Sequence, residues 1–167
     1  MYVHTPRRRP ERVTSPLSFP LSALAQTIAR LLIGGVLIAH GIQKALGFSG
    51  IVEAFTTMGI PLPTATAAIA MSIELVGGLA LLTGTATTLA GLLVTVNMLG
   101  AVVFVHSPAA VFVDAGGWEL VGVLAAGALL LAATGPGPWS VDALLTSGGT
   151  EPGVGTPPSG SSDGAVE

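Results

Sequence analysis

The chain contains no cysteine and very little charge. Asp, Glu, Lys and Arg make up 9% of its 167 residues, whereas an ordinary soluble domain holds about 25%. Without cysteine, the chain has no disulfide framework, no CxxC redox centre and no thiolate metal site. Half of the residues are hydrophobic, at 50%, and so few charges cannot cover the surface of a soluble domain. The composition therefore indicates an integral membrane protein.

The charges that are present lie mostly at the two ends. Four of the six basic residues are Arg7, Arg8, Arg9 and Arg12, and the end of the chain is acidic. No formal charge occurs between Glu74 and Asp114 or between Glu119 and Asp142. Membrane helices need about 20 mostly apolar residues, and these stretches are long enough to provide them. The net charge of −3 gives no basic field for binding nucleic acid.

The apolar runs predict an all-α bundle of four transmembrane helices. We place the spans at about 22–44, 64–84, 86–106 and 117–135. The connector 45–63 predicts a short interfacial helix between spans one and two, because its apolar residues recur at helical spacing: Ile51, Val52, Phe55 and Met58. The very short joint between spans two and three makes these spans antiparallel neighbours.

Polar segments flank this membrane domain, which we place at 21–145. Residues 1–20 and 146–167 are rich in proline or in serine and glycine, so both are expected to be disordered. The positive-inside rule places the arginine-rich N-terminus in the cytoplasm. Four spans then return the C-terminus to the same side of the plasma membrane.

Two opposite charges inside the spans are expected to form an intramembrane ion pair. At about 1.5 Å per residue, Arg30 lies roughly 18 Å below the outer end of span one, and Glu74 lies roughly 15 Å from the outer end of span two. Charges at such depth usually face other helices and find partners, so we predict that Arg30 pairs with Glu74. Such a pair can mark a functional site, or it can only fix the register of two helices.

A second group of polar residues is expected near the outer face of the membrane. Three spans contribute to this candidate outer pocket, which consists of His40, Lys44, His106, Trp118 and Glu119. Taken singly, Lys44 could reach the lipid interface and Trp118 could be an aromatic-belt anchor. Asn97, in the middle of span three, is expected to hydrogen-bond to another helix. The sequence carries no nucleotide-binding, zinc-protease or nucleophile-elbow motif, and no metal site is expected.

Six short motifs resemble those of the DoxX family of small bacterial membrane proteins. They are RLLIG at 30–34, HGIQK at 40–44, GIPLP at 59–63, ELVGG at 74–78, GWEL at 117–120 and GPGPWSVD at 135–142. The resemblance covers about residues 24–145. It implies a four-helix membrane domain in the bacterial cell membrane and a link to redox biology, including quinone-linked relatives.

Two functions remain open at this stage. The first is an accessory subunit that anchors a redox protein at the membrane, in contact with lipid and with that partner. The second is a quinone-linked oxidoreductase component, in which Lys44 or a histidine of the outer pocket stabilises a quinol oxyanion and Glu119 relays its proton. Assembly into an oligomer is compatible with either function.

Overall fold

The computed structural model describes residues 18–106 and 109–147, and no strand occurs within these ranges. The predicted arm and tail therefore fall almost wholly outside the described residues. The helices are α1 (Ser18–Leu46), α2 (Phe48–Thr57), α3 (Pro63–Ser72), α4 (Gly78–Thr83), α5 (Thr87–Phe104), α6 (Glu119–Thr134) and α7 (Val141–Ser147). A π-helical turn, Ile73–Gly77, joins α3 to α4, and a 3-10 turn, Val113–Ala115, precedes α6.

The predicted all-α fold is confirmed. Three helical stretches are long and apolar enough to cross a membrane: Leu21–Leu46, Pro63–Thr83 and Thr87–Phe104. We call the second of these, made of α3, the π turn and α4, the second span. The fourth apolar helix, α6, has 16 residues and is about 24 Å long at 1.5 Å per residue. The short helix predicted in the first connector is present as α2.

Small residues allow the helices to pack closely. A methyl group on Gly34 of α1 would lie 2.7 Å from the carbonyl oxygen of Gly78, and one on Gly91 of α5 would lie 2.6 Å from the carbonyl oxygen of Ala128 in α6. Close backbone approach through glycine and alanine is the usual way in which membrane helices associate. Around these contacts the core of the bundle is apolar and includes Leu37, Leu81, Val94, Met98, Leu124 and Leu131.

The two ends of the bundle differ. At the end that we call the joint end, α4 ends at Thr83 and α5 begins at Thr87, so the second span and α5 are antiparallel neighbours. At the opposite, loop end, α2 packs against α3 through a small apolar cluster that includes Phe55, Ile60 and Ala67. The loop 109–118 also lies at the loop end, where its backbone bonds back on itself from Trp118 to Ala110.

Candidate functional site

An ion pair between α1 and the π turn joins two charges inside the spans. The Lys44 Nζ donates to both carboxylate oxygens of Glu74, at 2.8 Å to Oε1 and 2.7 Å to Oε2. The Lys44 side chain is 22% exposed and the Glu74 side chain 5% exposed. Glu74 lies about 16 Å from the start of the second span at Pro63 and about 14 Å from its end at Thr83, so the pair joins a mid-span carboxylate.

The close contacts of α1 with the second span explain this pairing. A methyl group on Gly41 would lie 2.7 Å from the Leu75 side chain, and Gly34 lies against Gly78. These contacts make the two helices antiparallel and bring Lys44, one turn beyond Gly41, level with the π turn. Side chains on a helix point back toward its N-terminus, so the Lys44 ammonium reaches inward to Glu74.

The π turn gives Glu74 an unusual backbone setting. Isolated π-helical turns inside α-helices occur frequently at functional sites. The turn is followed by α4, whose first residue, Gly78, contacts α1, and its own last residue, Gly77, contacts Val94 of α5. Glu74 is therefore presented to α1 from a segment that is held on both sides by close packing.

Arg30 binds a main-chain group at the joint end rather than Glu74. Its Nη2 donates to the carbonyl oxygen of Trp139. The guanidinium is buried, at 2% exposure, and its Nε and Nη1 have no hydrogen-bond partner among the described residues. The prediction that Arg30 pairs with Glu74 is therefore wrong. Gly34 and Gly78 are in contact. Arg30 lies four residues from this contact toward the joint end, whereas Glu74 lies four residues from it toward the loop end.

The structure does not join the five residues of the predicted outer pocket into one hydrogen-bonded group. Lys44 binds Glu74, whereas Glu119 accepts a hydrogen bond of 2.8 Å from the backbone N–H of Val113. The Trp118 ring packs over Gly122 of α6.

The two histidines of the predicted outer pocket and Asn97 make no such contacts. His40, His106 and Asn97 are half-buried. None of their side chains has a hydrogen bond or ion pair to another residue of the described ranges. The hydrogen bond predicted from Asn97 to another helix is therefore absent within these ranges. Nor do the described residues include three His, Cys, Asp or Glu side chains grouped closely enough to ligate a metal ion.

Two surface grooves lie away from the predicted outer pocket. One, of about 390 Å³, runs between the second span and α5 and is lined by apolar atoms, with Gly77 and Ala90 among its walls. The other, of about 310 Å³, lies at the joint end between Thr83, residues 138–141 and Leu144. Neither groove is lined by any of the five predicted residues or by Glu74.

The contacts that residues 139–142 make at the joint end could not be recognised from side-chain types. Asp142 accepts from the backbone N–H groups of Ala86, at 2.9 Å, and Thr87, at 3.2 Å, and so caps the start of α5. A carboxylate is favoured at this position because the N-terminus of a helix carries partial positive charge. The family motif at 135–142 contains these residues, but the group in it that binds Arg30 is a main-chain carbonyl.

Apolar helices with short connections and an ion pair between two of them define a small multi-pass helical membrane protein. Residues 25–107 match the DoxX family. Inner membrane protein YphA of Escherichia coli (strain K12) is 34% identical over 122 residues, which cover 69% of this chain and 86% of that protein. The chain therefore belongs to the DoxX family.

A second relative carries a name that refers to redox chemistry. "Putative oxidoreductase CatD" of Bacillus subtilis (strain 168) is 32% identical over 88 residues, or 53% of this chain. The match spans 62% of that relative, which is less than two thirds of its length. No solved structure matches the chain significantly.

Proposed function

We propose that this protein is an accessory subunit that anchors a redox protein at the bacterial membrane, with its N- and C-termini in the cytoplasm. The observation that carries the proposal is the closed pair of Lys44 with Glu74. The pair uses Lys44, the lysine of the expected pocket, within the chain, so this ion pair between spans serves to hold helices together. The relative whose name refers to an oxidoreductase and the arginine-rich N-terminus support the redox setting and the orientation.

Affinity purification from native membranes in a mild detergent tests the anchoring role. We expect one protein with a bound redox cofactor or a reactive thiol to co-purify reproducibly with the full-length chain. We also expect that protein to leave the membrane fraction when the chain is deleted, and to return when the chain is restored, because an anchor controls where its partner resides. A partner that stays membrane-bound after deletion would contradict the proposal, and an unrelated multi-pass protein of similar abundance serves as the control bait.

A second candidate function is a quinone-linked oxidoreductase component, and one feature of the ion pair favours it. Lys44 has three N–H donors, of which Glu74 uses two, and its side chain keeps 22% exposure. The third donor fits a quinone carbonyl oxygen. A bound quinone would supply electron transfer, while Lys44 would orient it and the Glu74 carboxylate would take up a proton next to it.

Quinone binding to the protein in nanodiscs tests this second candidate. If Lys44 and Glu74 form the site, saturable binding of a ubiquinone or menaquinone analogue is expected for the natural chain and is expected to be lost in Lys44→Met/Glu74→Gln. The variant Glu119→Gln is the matched control, because that carboxylate binds the Val113 N–H. Equal binding by all three proteins, or no binding by any of them, would remove the ion pair as a quinone site.

A further inference from the structure

The segment that follows α6 is fastened to the joint end of the bundle. We call residues 136–147 the strap; it consists of a loop and α7. Arg30 donates to the Trp139 carbonyl, and the Asp142 side chain caps α5. In addition, the Asp142 N–H donates to the Gly84 carbonyl oxygen, at 3.1 Å. These bonds to α1, to the end of α4 and to the start of α5 fix the strap at the level where the spans end.

The outer face of the strap is apolar and exposed. Trp139 is 57% exposed, Leu144 74% and Leu145 71%. Val141, Leu144 and Leu145 are spaced three and four residues apart, so they share one side of α7. Asp142 is the one charged residue of the strap in the sequence, and its carboxylate is used as the α5 cap. The strap is therefore amphipathic. Its polar contacts are made with the bundle, and its apolar side chains are exposed.

The surroundings of this face point to lipid as its occupant. The groove of about 310 Å³ joins Leu144 of the strap to Thr83, the last residue of the second span. The exposed residues Leu79 and Val76 continue from there along the same span, so the apolar face of the strap is continuous with the surface that the bilayer covers. Tryptophan prefers the interfacial layer of a membrane, and amphipathic helices lie in that layer with their apolar face toward the acyl chains.

We propose that the strap lies in the interfacial layer of the bilayer, with Trp139, Leu144 and Leu145 inserted between the lipid headgroups and the acyl chains. The binding is apolar, because the strap contains no lysine or arginine. It is therefore expected to be independent of the anionic lipid content and of salt. This inference concerns how the protein meets the membrane and does not depend on the proposed anchoring or quinone functions.

The chain contains two tryptophans, which allows a direct test. In Trp118→Phe, the remaining tryptophan, Trp139, reports on the strap. In nanodiscs that hold one copy of this variant, we expect blue-shifted emission that loses most of its intensity when the lipid carries bromine near the top of its acyl chains. Aqueous iodide is expected to quench it only weakly. Replacing neutral lipid by anionic lipid, or raising the salt, should leave these values unchanged.

A pair of charged variants separates insertion from mere proximity. Leu145→Asp, made in the Trp118→Phe protein, places a carboxylate on the apolar face. We expect it to reduce bromolipid quenching several-fold and to raise iodide quenching. Ser147→Asp adds the same charge two residues further along α7, about 200° around the helix, and is expected to change neither value.

Three results would overturn the inference. Red-shifted emission that iodide quenches strongly would show that the face meets water. Resistance to both quenchers would show that another part of the chain covers it. Equal effects of Leu145→Asp and Ser147→Asp would show that the apolar face is not what holds the strap at the membrane.

Discussion

Replacing Lys44 by methionine is expected to destabilise the protein more than replacing Glu74 by glutamine, although both changes remove the same ion pair. Lys44→Met leaves the Glu74 carboxylate buried, at 5% exposure, without a cation. Leaving a buried charge without its partner costs about 3–5 kcal/mol. In Glu74→Gln, the Lys44 ammonium is already 22% exposed and can turn toward the membrane surface. That variant is expected to lose about 1 kcal/mol, which is typical of polar contacts between membrane helices.

Unfolding by SDS titration, followed by tryptophan fluorescence, measures this asymmetry. The double variant Lys44→Met/Glu74→Met is expected to recover most of the loss, because replacing both partners of a buried pair by apolar residues is often close to neutral. Gln43→Met is the matched control, since it makes the same type of change at an exposed neighbouring position of α1. Equal losses in the two single variants, or a double variant less stable than Lys44→Met, would show that burial of Glu74 does not set the energetics of the pair.

The long apolar helices and their approximate bounds could be predicted from the sequence because apolar run length is a direct signal. The prediction of 64–84 for the second span compares with Pro63–Thr83 in the structure, and 86–106 compares with Thr87–Phe104. The first connector contains the helix that its apolar spacing predicted, as α2 (Phe48–Thr57). Helix α7 was not predicted, because seven residues give too short a periodic pattern.

The partners of the charged residues could not be predicted, because depth was counted from assumed helix ends. Helix α1 has 29 residues, and its ends do not coincide with those of the second span. The register is set by the contacts of Gly34 with Gly78 and of Gly41 with Leu75. Each helical turn is about 5.4 Å, so a shift of two or three turns was enough to move Arg30 from Glu74 to the joint end and to bring Lys44 to Glu74.

The contact of Arg30 at the joint end shows a second reason why the partners of the charged residues could not be predicted. Arg30 binds a carbonyl oxygen of the backbone, and every residue type has one. Composition therefore gives no sign of which carbonyl will accept. The sequence does contain Gly84, which has no side chain and so leaves room for the Arg30 guanidinium. A substitution of this glycine provides the sharpest test of how Arg30 is bound.

Gly84→Ala is expected to displace the Arg30 guanidinium from the Trp139 carbonyl. Gly84 has φ +72, and a methyl group there would overlap the Arg30 guanidinium and lie 2.5 Å from the Ser140 Cβ. The left-handed conformation alone costs an L-residue about 1–2 kcal/mol. Loss of a hydrogen bond from a buried charged group costs about 1.5–3 kcal/mol more. Because Gly84 also accepts from the Asp142 N–H, the displacement should loosen the cap of α5 at the same time.

Gly116→Ala separates the two contributions. Gly116 has φ +74, close to that of Gly84, but a methyl group there would meet no atom within 4 Å. The control therefore carries the backbone strain without the clash, and the difference between the two variants measures the contact with Arg30. We expect Gly84→Ala to unfold at a clearly lower SDS fraction than Gly116→Ala.

In Gly84→Ala, a further Arg30→Met substitution should cost little stability, because the bond that it removes is already lost. If the two glycine variants unfold together, or if Arg30→Met costs as much in Gly84→Ala as in the natural chain, Arg30 does not hold the strap to the bundle.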